Sequence, residues 1–261
     1  MPELLSRAEG PAWRITIDRP ARRNALTPEL AGALAGEIAR AAAGDEACVI
    51  LLDGAGGHFC AGLDLRWLAS LGAAPAPADV RAGLARFQQA ILATVRAPIP
   101  VVALVRGSAA GFGVDLALAC DLRLADRTAG FTSAFARMGL VPDGGSTWSL
   151  PRLVGGGAAL RFLLSGETVE ADAALRMGLV DEVVADGALE ARAQTLARAL
   201  AGAARGSVAA IKRLCRAEEL TALERALRAE AEAQVEAFSS PEFQRRVAAF
   251  LGRGAGEREP A

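Results

Sequence analysis

Two short, wholly apolar segments, at 48–52 and 101–105, constrain the fold of this chain more than any other feature. Each is bounded by glycine or proline and is followed by a glycine-bearing loop and then by a helical pattern. Such runs are typical of strands that are buried on both faces of a sheet. A further strand is predicted near 12–17, where apolar and polar residues alternate. The sequence therefore predicts an α/β fold.

Helices are predicted on both sides of these strands. Thr27 can cap a helix that has Pro28 at its first position and Glu29 in its first turn, and this helix should end at Gly44. Beyond about 186, glycine becomes rarer and helical patterns occupy 187–202, 218–238 and 241–251. The alanine- and proline-rich segment 73–80 is predicted to be a mobile surface loop.

Composition excludes several classes of function. The 29 basic residues nearly balance the 30 acidic ones, so nothing in the charge favours nucleic acid or an anionic membrane as a partner. No apolar run reaches about 18 residues, which argues against a membrane span. The four cysteines lack CxxC spacing and predict a reduced, cytoplasmic location. The chain has one histidine and no tyrosine, so little material exists for histidine-based catalysis.

The two glycine loops, 54–65 and 106–115, are the strongest candidates for a functional site. Each follows a buried strand and precedes a helix, which we expect to begin near Leu63 in the first loop. Backbone N–H groups at such helix starts can bind an anion or a developing oxyanion. Phe59 stands where a dinucleotide GxGxxG pattern needs glycine, and no GK[ST] pattern supplies a phosphate loop. Either loop alone could be a tight turn, but their conjunction favours an oxyanion site.

Five segments resemble the enoyl-CoA hydratase/isomerase (crotonase) family: DRPARRNAL at 18–26, HFCAGLDL at 58–65, GSAAGFGVDLALACDLRLA at 107–125, GLVPDGGSTWSLPRLVG at 139–155 and ALRMGLVDEVV at 174–184. The resemblance covers about 12–252. It implies a spiral of ββα turns, here 1–195, followed by a helical region, 196–261, that closes the CoA pocket and forms a homotrimer or a hexamer made of two trimers. The apolar content of the tail from about 218 to 252 led us to expect contacts with neighbouring subunits.

The resemblance also implies the positions that bind substrate. The substrate would be an acyl-CoA thioester with no separate cofactor, and the backbone N–H groups of Leu63 and Phe112 would hold its carbonyl oxygen. Further CoA- or acyl-binding positions implied by the resemblance are Arg23, Ala25, Ala61, Gly62, Asp64, Leu65, Arg66, Gly111 and Phe135. Arg66 can equally be read as a solvated helix residue. Lys212 is read either as a CoA-phosphate contact or as part of a solvated face.

The carboxylates depart from the best-known hydratase pattern, which has two glutamates that activate water. Asp115 stands at the first of those positions and Phe135, which cannot move a proton, at the second. Asp143 stands where that pattern has glycine, which resembles family isomerases such as dienoyl-CoA and ring-epoxide CoA isomerases. The resemblance therefore implies a double-bond isomerase with Asp143 as the proton shuttle and Asp115 as the second catalytic candidate.

Other interpretations of the same residues stay open. Asp143 could instead cap a helix by accepting from the N–H of Gly145 or Ser146. Asp115 could simply be an acidic residue in the first turn of a helix, where its charge interacts favourably with the helix dipole. A hydratase in which both aspartates share the water is the main enzymatic alternative, and a catalytically inactive acyl-CoA-binding protein is another. Aryl-CoA dehalogenases carry a tryptophan at the position of Phe135 and a histidine near Ala90, and this chain has neither.

Overall fold

The computed structural model describes residues 3–70 and 76–256, and the side chains of these ranges up to residue 249. Its strands are β1 (Leu4–Glu9), β2 (Ala12–Ile17), β3 (Val49–Gly54), β4 (Val101–Val105), β5 (Ser108–Ala110), β6 (Leu122–Asp126), β7 (Gly130–Thr132), β8 (Thr168–Glu170) and β9 (Glu182–Val184). Its helices are α1 (Pro28–Ala43), α2 (Leu65–Ser70), α3 (Pro77–Arg96), α4 (Phe112–Ala119), α5 (Phe135–Met138), α6 (Ser146–Val154), α7 (Gly156–Ser165), α8 (Ala171–Met177), α9 (Leu189–Ala201), α10 (Arg205–Phe238) and α11 (Pro241–Gly256).

The strands form two sheets that the chain visits alternately. The larger sheet has the order β1-β2-β3-β4-β6-β9 and is parallel except for the β1/β2 hairpin. The smaller sheet has the order β5-β7-β8. After β4 and β5 the chain enters α4, returns through β6 and β7, and later passes from β8 through α8 to β9. This repetition of two strands and a helix confirms the expected ββα spiral.

The three predicted strands are all present, at 12–17, 49–54 and 101–105. Successive residues of β3 enter two different apolar clusters. Ile50 and Leu52 pack in the large cluster with α1 and α3, whereas Val49 and Leu51 pack in a second cluster with α9. The prediction that this strand is buried on both faces is therefore confirmed. The predicted helix after Thr27 is also confirmed, because the Thr27 side chain accepts from the Leu30 N–H at its start.

One predicted loop and the start of one C-terminal helix were wrong. Residues 77–80 were predicted to lie in a loop, but they form the first turn of α3, in which a proline is well tolerated. Residues 73–75 of the predicted loop lie outside the described residues. The helix predicted from 218 begins at Arg205. No glycine or proline occurs between 207 and 238, so nothing interrupts the helix there. The boundary drawn at 195/196 falls inside α9.

The C-terminal helices close one end of the core. Leu68, Val80, Val235, Phe238 and Phe243 form a cluster that joins α2, α3, α10 and α11. The apolar residues of the tail are thus partly buried in their own chain, which removes part of the reason for expecting subunit contacts there. The exposed large apolar side chains of the described residues lie elsewhere, at Leu153, Leu160, Leu164, Leu175, Ile211 and Leu214. None of the described helices is long and apolar enough to span a bilayer.

Candidate active site

The two glycine loops are in direct backbone contact. The Ala110 N–H donates to the Cys60 carbonyl at 2.9 Å, and these strand-like segments run side by side. Gly62 has φ +87°, and a Cβ at this position would lie 2.7 Å from the Ala110 carbonyl oxygen and 3.1 Å from the Phe112 nitrogen. Only glycine fits this conformation and this space. The approach of the two loops therefore places Leu63 next to the start of α4.

The two predicted donors have different structural origins. Phe112 is the first residue of α4 and follows Gly111, whose φ is +51°. Leu63 precedes α2 by two residues, so the helix start predicted near Leu63 was too early. Asp64 explains the difference, because its carboxylate accepts from the Arg66 N–H at 2.9 Å and caps α2. Within the described residues, neither the Leu63 nor the Phe112 N–H donates to a protein acceptor.

Leu63 and Phe112 both line an apolar cavity that is partly open to solvent, and the space between its walls, open solvent included, is about 790 Å³. Asp143 and Gln234 are the polar side chains among the lining residues, apart from the Trp67 indole. The lining residues are Ala61, Leu63, Leu65, Trp67, Val80, Gly83, Leu84, Phe87, Gly111, Phe112, Ala134, Phe135, Met138, Leu140, Asp143, Gln234 and Phe238. Five of them carry aromatic rings, so the walls are suited to an apolar acyl group.

Asp143 is the carboxyl group on the cavity wall, and it is 7% exposed. Its Oδ2 accepts from Gln234 Nε2 at 3.0 Å, whereas its Oδ1 has no partner among the described residues. Burial raises the pKa of Asp143 to about 7; the Gln234 hydrogen bond opposes this rise and the charge of Glu230 adds to it. A pKa near neutrality lets this carboxyl take up and release a proton at physiological pH.

The capping role considered for Asp143 is contradicted. Helix α6 begins at Ser146, and the N–H groups of Gly145 and Thr147 donate to the Glu230 carboxylate at 2.7 and 3.0 Å. Glu230, which comes from α10, therefore caps this helix. The side chain of Asp143 is left free of that role.

Asp115 is not brought to the cavity wall. Its side chain is 2% exposed, and its Oδ2 accepts from the Gly144 N–H at 3.0 Å. Burial is the main cause that raises its pKa well above the ordinary value, followed by the charges of Glu230 and Asp143. Asp115 thus lies behind the loop that carries Asp143, so the structure does not support a direct contact between Asp115 and substrate.

The other predicted positions divide into two groups. Ala61, Leu65, Gly111 and Phe135 line the cavity with Leu63 and Phe112. Arg23, Ala25, Gly62, Asp64 and Arg66 do not line it. The Arg23 carbonyl accepts from the Ala61 N–H at 2.9 Å, and Asp64 pairs with Arg19 at 3.0 Å, so both of these residues hold the first loop in place.

Lys212 has neither of the roles considered for it. Its ammonium group is buried and pairs with Asp121 at 2.6 Å, and it also donates to the Ile99 carbonyl at 3.1 Å. It joins α10 to the segment that enters β4.

Sequence reasoning missed Glu230 and Gln234. They stand in the segment AEAEAQVEAF, where charged and polar residues at helical spacing are typical of a solvated face. Both are at most 4% exposed, because α10 lies across α3 and α6. No local signal distinguished them from their exposed neighbours.

Leu63, Phe112 and the buried acid Asp143 thus line one apolar cavity in a spiral α/β fold. The family model of enoyl-CoA hydratase/isomerase matches residues 8–257. The chain is 36% identical over 251 residues to the 1,2-epoxyphenylacetyl-CoA isomerase of Escherichia coli K12, which covers 96% of this chain and 95% of that protein. It is 38% identical to a probable enoyl-CoA hydratase of Rhodobacter capsulatus, over 91% of this chain and 90% of that one.

Solved structures of the same family are also similar to this chain. The enoyl-CoA hydratase from Bacillus halodurans superimposes with a TM-score of 0.90 at 28% identity, over 95% of this chain and all of that one. The chain therefore belongs to the enoyl-CoA hydratase/isomerase family and has the crotonase fold.

Proposed function

We propose that this enzyme is an enoyl-CoA double-bond isomerase in which Asp143 carries the proton. One observation carries the proposal: Asp143 is the carboxyl group that lines the cavity shared with the Leu63 and Phe112 N–H groups. Phe135, also on the wall, supplies no second acid. One base can move a proton between two carbons, whereas adding water ordinarily needs two groups that handle protons.

The proposed reaction begins with the thioester oxygen between the two N–H donors. These donors stabilise the charge that develops on the oxygen, and each contributes about 3 kcal/mol or more in such sites. Asp143 Oδ1 takes a proton from the carbon next to the double bond, and the electrons of the broken C–H bond move into the enolate. The same proton is then returned to another carbon of the conjugated system, and the double bond has shifted. Atoms and electrons balance without a further reactant.

The proposed substrate is an acyl-CoA thioester, and the proposed chemistry uses no separate cofactor. The Escherichia coli relative is an isomerase of a CoA thioester, 1,2-epoxyphenylacetyl-CoA isomerase, and this supports an isomerase activity here. We also propose that the enzyme assembles as a trimer or as two trimers. The support for assembly is the exposure of four apolar side chains, Leu160, Leu164, Ile211 and Leu214, which are each 59–70% exposed in the single chain.

The hydratase alternative is supported by the printed name of the Rhodobacter relative. It would require Asp115 to reach a water molecule in the cavity. Asp115 is instead bound to the Gly144 N–H and is absent from the cavity wall. The isomerase therefore fits the positions of the two aspartates better.

The test is incubation of the enzyme with a panel of enoyl-CoA thioesters in deuterated water, followed by mass and double-bond analysis. A shifted double bond at unchanged composition, apart from exchanged deuterium, supports the isomerase. Gain of one water identifies a hydratase and overturns the proposal. Binding of the thioesters without any turnover would identify a binding protein instead.

A further inference from the structure

Gln234 links the C-terminal helix α10 to the carboxyl group of Asp143. Its side chain is 1% exposed and is bound at both ends. Nε2 donates to Asp143 Oδ2 at 3.0 Å, and Oε1 accepts from the Val141 N–H at 3.0 Å. A backbone N–H can only donate, so the amide oxygen must face Val141. The amide NH₂ group is thereby directed at Asp143.

The same face of α10 holds the loop that carries Asp143 at further points. Glu230, one helical turn before Gln234, binds the N–H groups of Gly145 and Thr147. Gln88 of α3 donates to the Leu227 carbonyl at 2.7 Å and to the Asp143 carbonyl at 3.4 Å. Glu230 and Gln88 therefore anchor the backbone around Asp143 in addition to the bond from the Val141 N–H to Gln234. The Gln234 NH₂ group is the part of this face that contacts the carboxyl group itself.

The bond from Gln234 makes the two carboxyl oxygens unequal. Oδ2 is occupied, whereas Oδ1 is buried without a partner among the described residues and belongs to a side chain on the cavity wall. We propose that Gln234 is a positioning residue that holds Oδ2 of Asp143 and so presents Oδ1 as the oxygen that takes the substrate proton. This inference rests on the proposed function, because it assumes that Asp143 is the base.

The electrostatic surroundings explain why one neutral donor matters. The charged groups that face this part of the site are the carboxyls of Glu230 from α10 and Asp115 from α4. The charge of Glu230 raises the pKa of both Asp143 and Asp115, and the charge of Asp143 adds to the rise at Asp115. Within 3–70 and 76–249, no lysine or arginine pairs with any of the three carboxyls. The Gln234 N–H therefore supplies the larger of two hydrogen-bond contributions that favour the ionised form of Asp143 and lower its pKa; the backbone of Asp143 supplies the smaller one. Loss of this bond should raise that pKa further.

The test compares Gln234→Met with the wild type by the pH dependence of kcat/KM, using a thioester from the panel that the enzyme turns over. Methionine keeps the length of the side chain, but it cannot donate to Asp143 and it lacks the amide oxygen that accepts from the Val141 N–H. We expect the midpoint of the ascending limb to move to higher pH. A shift of one pH unit would lower kcat/KM at pH 7 by about fivefold, because the ionised fraction would fall from about a half to about a tenth. A ¹³C NMR titration of the Asp143 carboxyl should show the same shift without any substrate.

Gln88→Met is the matched comparison, since it removes the bonds to the Asp143 and Leu227 carbonyls and leaves the bond to the Asp143 carboxyl group intact. This variant should lower Tm while the midpoint of the pH profile stays in place. If Gln234→Met does not fold, Gln234→Leu carries the test, because leucine is apolar and likewise provides no donor for Asp143 Oδ2. The midpoint should move upward in this variant as well.

An unchanged midpoint in a folded Gln234 variant, by both kinetics and NMR, would overturn the inference. Asp143→Asn separates this failure from failure of the proposed function. If Asp143→Asn abolishes turnover and the Gln234 variants shift nothing, only the positioning role is wrong. If Asp143→Asn retains full turnover, the proposed function itself is wrong.

Discussion

Replacement of Asp143 by asparagine should abolish catalysis while preserving the fold. Asparagine has nearly the same shape, and its side-chain oxygen can still accept from Gln234 Nε2, which lies 3.0 Å from Oδ2 in the wild type. Helix α6 is capped by Glu230 and not by Asp143, so the substitution removes no cap. It also removes a buried ionisable group, and this change should leave Tm equal to or above that of the wild type.

The expected magnitude follows from the role of a general base, which is commonly worth about 100-fold to 10,000-fold in rate. We therefore expect turnover of Asp143→Asn to fall by at least about two orders of magnitude while the affinity for CoA thioesters changes little. Wild-type kcat/KM should depend on pH in a matching way. The pKa of Asp143 is about 7, so about 1% of this group is ionised at pH 5 compared with a half at pH 7, and kcat/KM should fall by about 50-fold over that interval.

The assay is stopped-flow or discontinuous turnover of the active thioester between pH 5 and pH 9, with CoA-thioester binding and Tm measured on the same samples. Asp115→Asn serves as the matched control, because it makes the same chemical change in the same cluster at a position off the cavity wall. A folded Asp143→Asn enzyme with wild-type turnover would refute the assignment of the base. If wild-type kcat/KM instead showed its inflection near pH 4 and did not change between pH 5 and pH 8, the argument that burial raises the pKa of Asp143 would be refuted.

Three further outcomes are expected. Gly62→Ala should lower kcat/KM by at least about tenfold, because the added Cβ would lie too close to the Phe112 nitrogen. Gly57 has a similar φ of +83° but open space around it, so Gly57→Ala should lower stability and leave activity unchanged. Equal kinetics in the two variants would count against the paired N–H donors. Asp115→Asn should flatten the pH dependence of Tm. The pKa of Asp115 is raised in the folded protein, so protonated Asp115 stabilises the fold fully below about pH 4, and this stabilisation is lost as the pH rises. A variant whose Tm depends on pH as in the wild type would contradict this. In sedimentation, the enzyme should behave as a trimer or hexamer, and a fully active monomer at low concentration would contradict the proposed assembly.

Much of the fold and half of the site could be predicted from sequence because the signals are local. The apolar runs at 48–52 and 101–105 and the cap at Thr27 determine their own strands and helix. The glycine loops carry their conformation in the residues themselves, and both Leu63 and Phe112 were found on the cavity wall. Asp143 was recognised for a similar reason, since it stands in a loop motif that distinguishes members of one family.

Tertiary structure alone decided which carboxyls face substrate and which support it. Gln234 lies 91 residues from Asp143 in sequence, and Glu230 lies 85 residues from the Gly145 N–H that it binds. Their own helix shows no sign of these partners, because burial depends on where α10 crosses the core. The sequence ranked Asp115 second to Asp143 but left it a candidate, and only the structure shows that its carboxylate accepts from the Gly144 N–H and does not line the cavity. The ionisation of Asp143 is decided in the same way: its pKa depends on water excluded by distant segments, and no local pattern encodes that exclusion.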